Sequence, residues 1–408
     1  MRGHLWWIAP ASVLMLGVLL GRPSEAIPAF ARKHEFSCTT CHDPFPRLKP
    51  YGEEFAANAY APSDQEMPPR YYTDVGDDRL SLFREIPLAF RGDFYLDFQL
   101  NGNDNGDGYQ DFKTPWVLKL LSGGRLGPDI GYYFYFMMTE GGEIVGLEDT
   151  VIQFNDLFES PIDLLVGQFQ VSDVLFKRET RLTFQDYLPF KIRPGRSDID
   201  LTYDRGFLVS ADFSFGLMAS LSLTNGARLG AAIDDNLDPD YFKNVMLRLS
   251  QELGPARVGA FGFFGKERRT ITDETTGASH VGTNEAFMWG ADVTLDLNRT
   301  TLNALYLQRR DINPYLKPAN EPFALKSHGI MAEAVTRLWG NPGRLYAVLL
   351  FDKVESQVPG ADQESYTGNL TYLLRTNLKL MAEYTFYRIH DDEVANEHRI
   401  LLGLTGAI

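Results

Sequence analysis

Cysteine is almost absent from this chain: 408 residues hold two, Cys38 and Cys41. That excludes a disulfide-stapled scaffold, which needs several pairs. It also excludes a zinc site built on cysteines, since four ligands are needed and no second C-x-x-C or H-x₃-H follows. Basic charge is short as well. The 39 Lys and Arg stand against 54 Asp and Glu, a net −15, and such a surface excludes nucleic acid as a partner, because phosphates require clusters of Lys and Arg. Long hydrophobic runs are missing too. The N-terminal stretch MRGHLWWIAPASVLMLGVLLGRPSEA has about sixteen mostly apolar residues interrupted by Pro10, short of the roughly 20 that cross a bilayer as a helix. Neither a Ser, His and Asp arrangement nor a phosphate-cradling glycine loop is legible.

That N-terminal stretch instead has the form of a secretory signal peptide: Arg2 near the start, an apolar run, and a small-x-small ending at Ser24 and Ala26. Cleavage is expected after Ala26. Removing Arg2, Arg22 and Glu25 takes away a net +1, so −15 becomes −16.

Export brings the chain into an oxidising compartment, where two nearby cysteines ordinarily read as a disulfide. A thioredoxin-like redox pair requires a C-x-x-C at the start of a helix in a βαβ unit, and no such alternation surrounds FSCTTCHDPFPRLKPYG, Phe36 to Gly52. The remaining reading uses every residue present. C-x-x-C-H is the attachment signature of a c-type haem, with thioethers from Cys38 and Cys41 and His42 as the proximal iron ligand. One covalent haem c is therefore the expected cofactor.

The residues around this motif carry a resemblance. IPAFARKHEFSCTTCHDPFPRLKPYGEEFAANAY, Ile27 to Tyr60, resembles the haem segment of the fused outer-membrane monohaem cytochrome–porins of iron-oxidising bacteria. The matching positions are Pro28, Ala29, Phe30, Ala31, Arg32 and Lys33 before the motif, and Pro46, Leu48, Gly52, Phe55, Asn58 and Tyr60 after it. The resemblance covers about a tenth of the chain. It implies a haem-bearing plug inside a barrel, with extracellular Fe(II) as electron donor.

From about Pro87 onward, segments of roughly ten residues alternate in hydrophobicity between turn residues, the signature of a transmembrane β-barrel. Phe90, Phe94, Leu96 and Phe98 share one face, and Arg91, Asp93, Asp97 and Gln99 the other. Likewise Phe287, Trp289 and Ala291 oppose Asp292, and Leu378, Leu380, Ala382 and Tyr384 oppose Lys379 and Glu383. A soluble β-sandwich also alternates, but it has no reason to alternate tight and long connections. RLGPD, LFESP, DFS, ELGPA, LNR, NPG and RTN are short. Gly102 to Phe112, Ser172 to Ser197, Asn225 to Asp240, Lys266 to Asn284 and Asp311 to Leu325 are long. Seven short turns and about eight longer loops predict a mainly β fold, an antiparallel barrel of about sixteen strands with both termini periplasmic. The expected organisation is a signal peptide over 1–26, a monohaem cytochrome c segment over 27–80 and an outer-membrane barrel over 81–408.

A segment as short as 27–80 requires a staple to fold, and haem c would be one. We expect it to rise into the lumen, carry the iron into the bilayer and pass electrons between an extracellular donor such as Fe(II) and a periplasmic cytochrome. Two alternatives stand beside this: a porin whose haem plug gates or senses while small solutes pass, and a soluble periplasmic cytochrome with a β-sandwich domain. Candidates for the sixth iron ligand are Met67, in DQEMPPR, or a lumen-facing histidine among His280, His328, His390 and His398; an open sixth position is the other option. His34 lies too near the attachment site to reach the far face. Asp104, Asp107 and Asp111 form a weak outer cation site, and Lys177, Arg178 and Arg181 sit on the longest loop, placed to narrow the pore.

Overall fold

The computed structural model describes residues 29–408 apart from 63–71, 74, 78, 85, 102–107, 233, 273–276, 319–322, 359–360 and 391–395. Three short helices open it: α1 (Ala29–His34), α2 (Cys38–Cys41) and α3 (Pro50–Ala57). Sixteen antiparallel strands follow and close on themselves, with β1 (Leu88–Asn101) paired to β16 (Glu397–Ala407) from Arg91↔Ala407 to Asn101↔His398. Closure pairs every strand on both sides, which is how strands satisfy their backbone in hydrocarbon. Signal-peptide residues 1–26, Met67, Asp104 and Asp107 lie outside the described residues.

Chain order runs unbroken around the barrel. Between β1 and β16 come β2 (Tyr109–Gly127), β3 (Ile130–Glu140), β4 (Gly146–Phe154), β5 (Ile162–Gln170), β6 (Tyr203–Asp212), β7 (Leu217–Thr224) and β8 (Asn244–Leu253). Then follow β9 (Ala256–Thr272), β10 (Ser279–Leu297), β11 (Thr300–Asp311), β12 (Leu325–Trp339), β13 (Leu345–Ser356), β14 (Gln363–Arg375) and β15 (Leu378–Ile389). All seven turns expected short lie at one end. The opposite end carries the longer connections, together with a tight one at 141–145 that joins β3 to β4.

The period-2 pattern sets which side chains meet lipid. Trp289 is 55% exposed on the outer wall, whereas Asp97 is wholly buried on the inner one. The expected loop over Lys266 to Asn284 is largely strand. β9 continues to Thr272 and β10 begins at Ser279, so 265–272 and 279–286 pair as a ribbon beyond their neighbours. Lys266, Glu267, Arg268, Arg269, Asn284 and Glu285 stand on it, so it leaves the membrane without an apolar face to mark it as strand.

The lumen is neither open nor uniformly polar. On β8 to β13 the inward positions include Met246, Phe261, Phe263, Met288, Leu305, Leu307, Met331 and Leu350, and the connection 171–202 folds onto them. Val171, Leu175, Phe176, Tyr187, Phe190, Ile192, Ile199 and Leu201 of that connection join the same buried cluster. Its middle then crosses the lumen. Leu182 packs on Val335 and Val348, Tyr187 Oη donates to Glu333 Oε1 at 2.9 Å, Lys119 pairs with Glu179, and the amides of Phe184 and Gln185 donate to the Glu383 carboxylate at 2.8 and 2.9 Å. Of the basic residues on this connection, Arg178 and Arg181 turn inward and pair with Asp186 inside it, whereas Lys177 stays exposed.

Candidate functional site

The site is built on one helical turn. Ser37 caps α2 by accepting from Thr39 N at 3.3 Å, and the turn ends where His42 N donates to Cys38 O at 2.9 Å. Positions three apart share a helix face, so both thiols lie on one side with the imidazole immediately after. The thiols are half-buried, and burial raises both above the ordinary thiol value. A dithiol redox pair depends on the opposite shift.

His42 Nδ1 lies 3.0 Å from Pro46 O and 3.3 Å from Arg47 O. Carbonyls only accept, so the ring proton is on Nδ1 and Nε2 keeps its lone pair. Burial lowers the basicity of the ring, outweighing these two hydrogen bonds, and keeps it neutral at pH 7. A neutral imidazole with Nδ1 tied to a carbonyl is the form that ligates a metal through Nε2.

Most of the segment's remaining sequence serves packing. Helix α3, started by Pro50 in its first turn, lies so close to α2 that a Cβ on Gly52 would meet Cys41 O at 2.3 Å. Phe30 stacks on Tyr60 at 5.4 Å and meets Phe55 edge-on at 5.3 Å; Tyr60 in turn stacks on Tyr133 of the barrel at 5.1 Å. Asn58 Nδ2 donates to Ala61 O at 3.1 Å. Several positions that carry the resemblance are thus the segment's internal core.

Barrel contacts from several directions hold the segment. Ala57 O accepts from Gln153 and, at 2.5 Å, from Asn155. Glu53 pairs with Arg257 at 3.3 Å and Asp43 with Arg337 at 3.5 Å. Gly123 and Gly131 leave room for Phe30 and Ala59 against β2 and β3. All these barrel residues lie toward the short-turn end, so the segment plugs that mouth. The segment thus enters the lumen at this mouth, and the connection 171–202 fills the lumen beyond it.

Between plug and barrel lies a cleft of about 130 Å³, lined by Cys38, Thr39, His42, Pro44 and Phe45 on one side and Arg337, Asn341 to Gly343, Tyr346, Leu373 and Thr376 on the other. Of the expected sixth ligands, Met67 is outside the described residues, and no methionine or histidine besides His42 lines the cleft among the described ones. The barrel histidines all stand toward the long-loop end: His280 bonds Leu316 O at 2.9 Å, His328 pairs with Glu355, His390 with Glu364 at 3.5 Å, and His398 with Tyr384 at 2.8 Å. None can reach the plug. Sequence reasoning missed the barrel's half of the cleft, because Arg337 and Tyr346 are some 300 residues from His42 and no local pattern joins them.

The class defined by this geometry is a sixteen-stranded porin-type barrel with a C-x-x-C-H plug in its short-turn mouth. Solved structures agree on the barrel. The chain is similar to the anion-selective porin from Comamonas acidovorans at 11% identity, covering 79% of this chain and 99% of that one with a TM-score of 0.57. It is similar to OprB of Pseudomonas putida at 10% identity, over 79% and 94%, TM-score 0.55, and to the outer membrane channel DcaP of Acinetobacter baumannii at 13% identity, over 79% and 97%, TM-score 0.53. At these identities the likeness establishes the fold. No protein-family model matches the chain, and no curated protein matches it.

Proposed function

We propose that this is an outer-membrane barrel of Gram-negative type whose plug holds one covalent haem c and passes electrons between an extracellular donor and a periplasmic carrier. The observation that carries the reading is His42, neutral, with Nδ1 anchored on Pro46 O and Nε2 left to ligate, directly after two thiols on one face of a turn, of which Cys38 lines the cleft together with His42. Haem c, when bound, supplies a one-electron Fe(III)/Fe(II) couple. Cys38 and Cys41 would hold the group through thioethers, and His42 Nε2 would be the nitrogen donor to its iron. Pro44, Phe45 and Leu373 give the cleft apolar walls, and Arg337 and Lys49 place positive charge beside them. With short turns on the periplasmic side, the cleft faces a soluble periplasmic cytochrome. Fe(II) enters as the extracellular substrate through the resemblance.

The test compares wild type with Cys38→Ala, Cys41→Ala protein. Wild type is expected to stain for haem after denaturing electrophoresis and to deliver electrons to an acceptor enclosed in liposomes. The variant is expected to lose both while keeping heat-modifiable barrel mobility. Unchanged flux in the variant would sink the reading.

Solute passage is the second reading, and the likeness to channels favours it. One structural observation does as well. The inner wall from β14 through β16 to β2 is largely polar, with Thr367, Asn369, Lys379, Glu383, Asp97 and Lys119 buried on it, and a cleft of about 220 Å³ lined by Gln185, Thr385, Tyr387, Glu397 and Arg399 opens beside the loop tip. Liposomes that leak small sugars without electron delivery would favour this reading over the first.

A further inference from the structure

The plug supplies only half of the cleft, and the other half is chemically selective. Among the described lining residues two are cations, Lys49 on the plug and Arg337 on β12, and one is an anion, Asp43. Lys49 Nζ is spent on Thr39 O. Asp43 is engaged on one oxygen by Tyr346 Oη, and its other oxygen stands 3.5 Å from Arg337 Nη1. At that length the pair is loose and single-pronged, so most of the guanidinium fork is uncommitted to Asp43. The Arg337 side chain is 22% exposed, at the edge of the cleft. Around these charges stand Pro44, Phe45, Pro342 and Leu373. Apolar walls with a guanidinium at the rim suit a flat apolar molecule bearing carboxylates, and a planar fork binds a carboxylate through two parallel hydrogen bonds.

We propose that Arg337 is a barrel-borne binding residue for a haem carboxylate, so that the β12–β13 turn completes the site and the loaded haem fastens plug to barrel. This rests on the haem reading above. Its consequence is coupling: the plug is held more firmly in the loaded protein than in the haem-free one, and the difference passes through Arg337.

The experiment uses the full chain extracted from membranes, with haem stain and heat-modifiable mobility as controls. Two quantities are measured: the haem midpoint potential, and the rate at which protease cuts the plug in the folded barrel. Arg337→Gln is expected to lower the midpoint, since a lost cation favours the ferric form. It should also speed plug cleavage about tenfold, as loss of a charge-assisted hydrogen bond would. Arg337→Lys should recover part of both. In a Cys38→Ala, Cys41→Ala background, Arg337→Gln should speed cleavage far less, by no more than the loose Asp43 pair contributes. Asp43→Asn separates the roles: if it reproduces the Arg337→Gln effects, Arg337 acts through Asp43 and the inference is overturned. Haem-stained Arg337→Gln protein with wild-type midpoint and cleavage overturns the inference alone, whereas wild-type protein without haem stain overturns the reading beneath it.

Discussion

Arg309 is wholly buried inside the barrel, and every one of its five N–H donors is used. Nε and Nη2 grip Asp311 at 2.6 and 2.7 Å, Nη1 donates to Ile192 O and Ile199 O at 2.6 Å each, and Nη2 reaches Ser197 Oγ at 3.0 Å. Three of those partners belong to the connection 171–202, so one side chain ties the constriction to the wall. Arg309→Met leaves Asp311 buried without its countercharge and two carbonyls without donors, a change that costs about 3–5 kcal/mol. The loop is expected to become protease-sensitive in an otherwise folded barrel, and Arg309→Lys, with three donors, to fall between the two. A loop as resistant in the Met variant as in wild type would remove Arg309 from this role. At the plug, Gly52 has the corresponding place. A methyl there meets backbone rather than a flexible side chain, so Gly52→Ala should destabilise the α2–α3 contact by about 1–3 kcal/mol. Fewer assembled barrels should then stain for haem, counted as stain per unit of heat-modifiable protein.

At the scale of elements, the inserted connection 171–202 is held by charge as well as by its apolar cluster. Burial alone would raise the Asp186 carboxyl, but Arg181, Arg178 and Lys191 around it outweigh burial and hold it far below the usual carboxylate range. A depressed native value means that the unfolded loop binds the proton first. The carboxylate's contribution is therefore complete above about pH 4, the ordinary value being 3.8, and drains away as pH falls below it. Loop docking, followed by an acid-active protease, is expected to hold at pH 5 and to weaken below pH 4. Asp186→Asn should loosen the loop already at neutral pH, because Arg178, Arg181 and Lys191 lose the carboxylate they share; wild-type resistance at both pH values in that variant would refute the assignment. What the sequence revealed of these elements follows from which faces meet lipid. Strands such as Phe94 to Phe98 and Phe287 to Ala291 alternate because hydrocarbon lies on one side, and the short turns are marked by Gly, Pro and Asn. The paired stretches 265–272 and 279–286 set polar residues on both faces, Glu267 and Asn284 being buried against Asp198 and Ser197 of the connection 171–202, so no apolar stripe marks them as strand. The apolar inner wall at Phe261, Phe263 and Met288 was hidden because a buried loop and a lipid tail ask for the same residues.

On the scale of the whole molecule, two occlusions lie in series: the plug over 29–62 at the short-turn mouth and the connection 171–202 at mid-lumen. The C-x-x-C-H motif is legible from spacing alone, yet its height in the barrel is not, since the segment's own residues say nothing about what already fills the lumen. The series arrangement separates the two functional readings. Neither plug nor loop takes part in the β1–β16 closure, so each can be removed without opening the barrel wall. In series, the narrower element sets the resistance. Deleting residues 29–62 should abolish haem stain and electron delivery while single-channel conductance in planar bilayers stays low, because the loop remains bonded at Lys119, Glu333, Glu383 and Arg309. Replacing 171–202 with a short Gly-Ser linker should likewise raise conductance little while the plug stays seated, and joining the two changes should open the pore fully. High conductance after plug deletion alone would instead identify the plug as the gate of a solute channel, with the polar wall from β14 to β2 as its path.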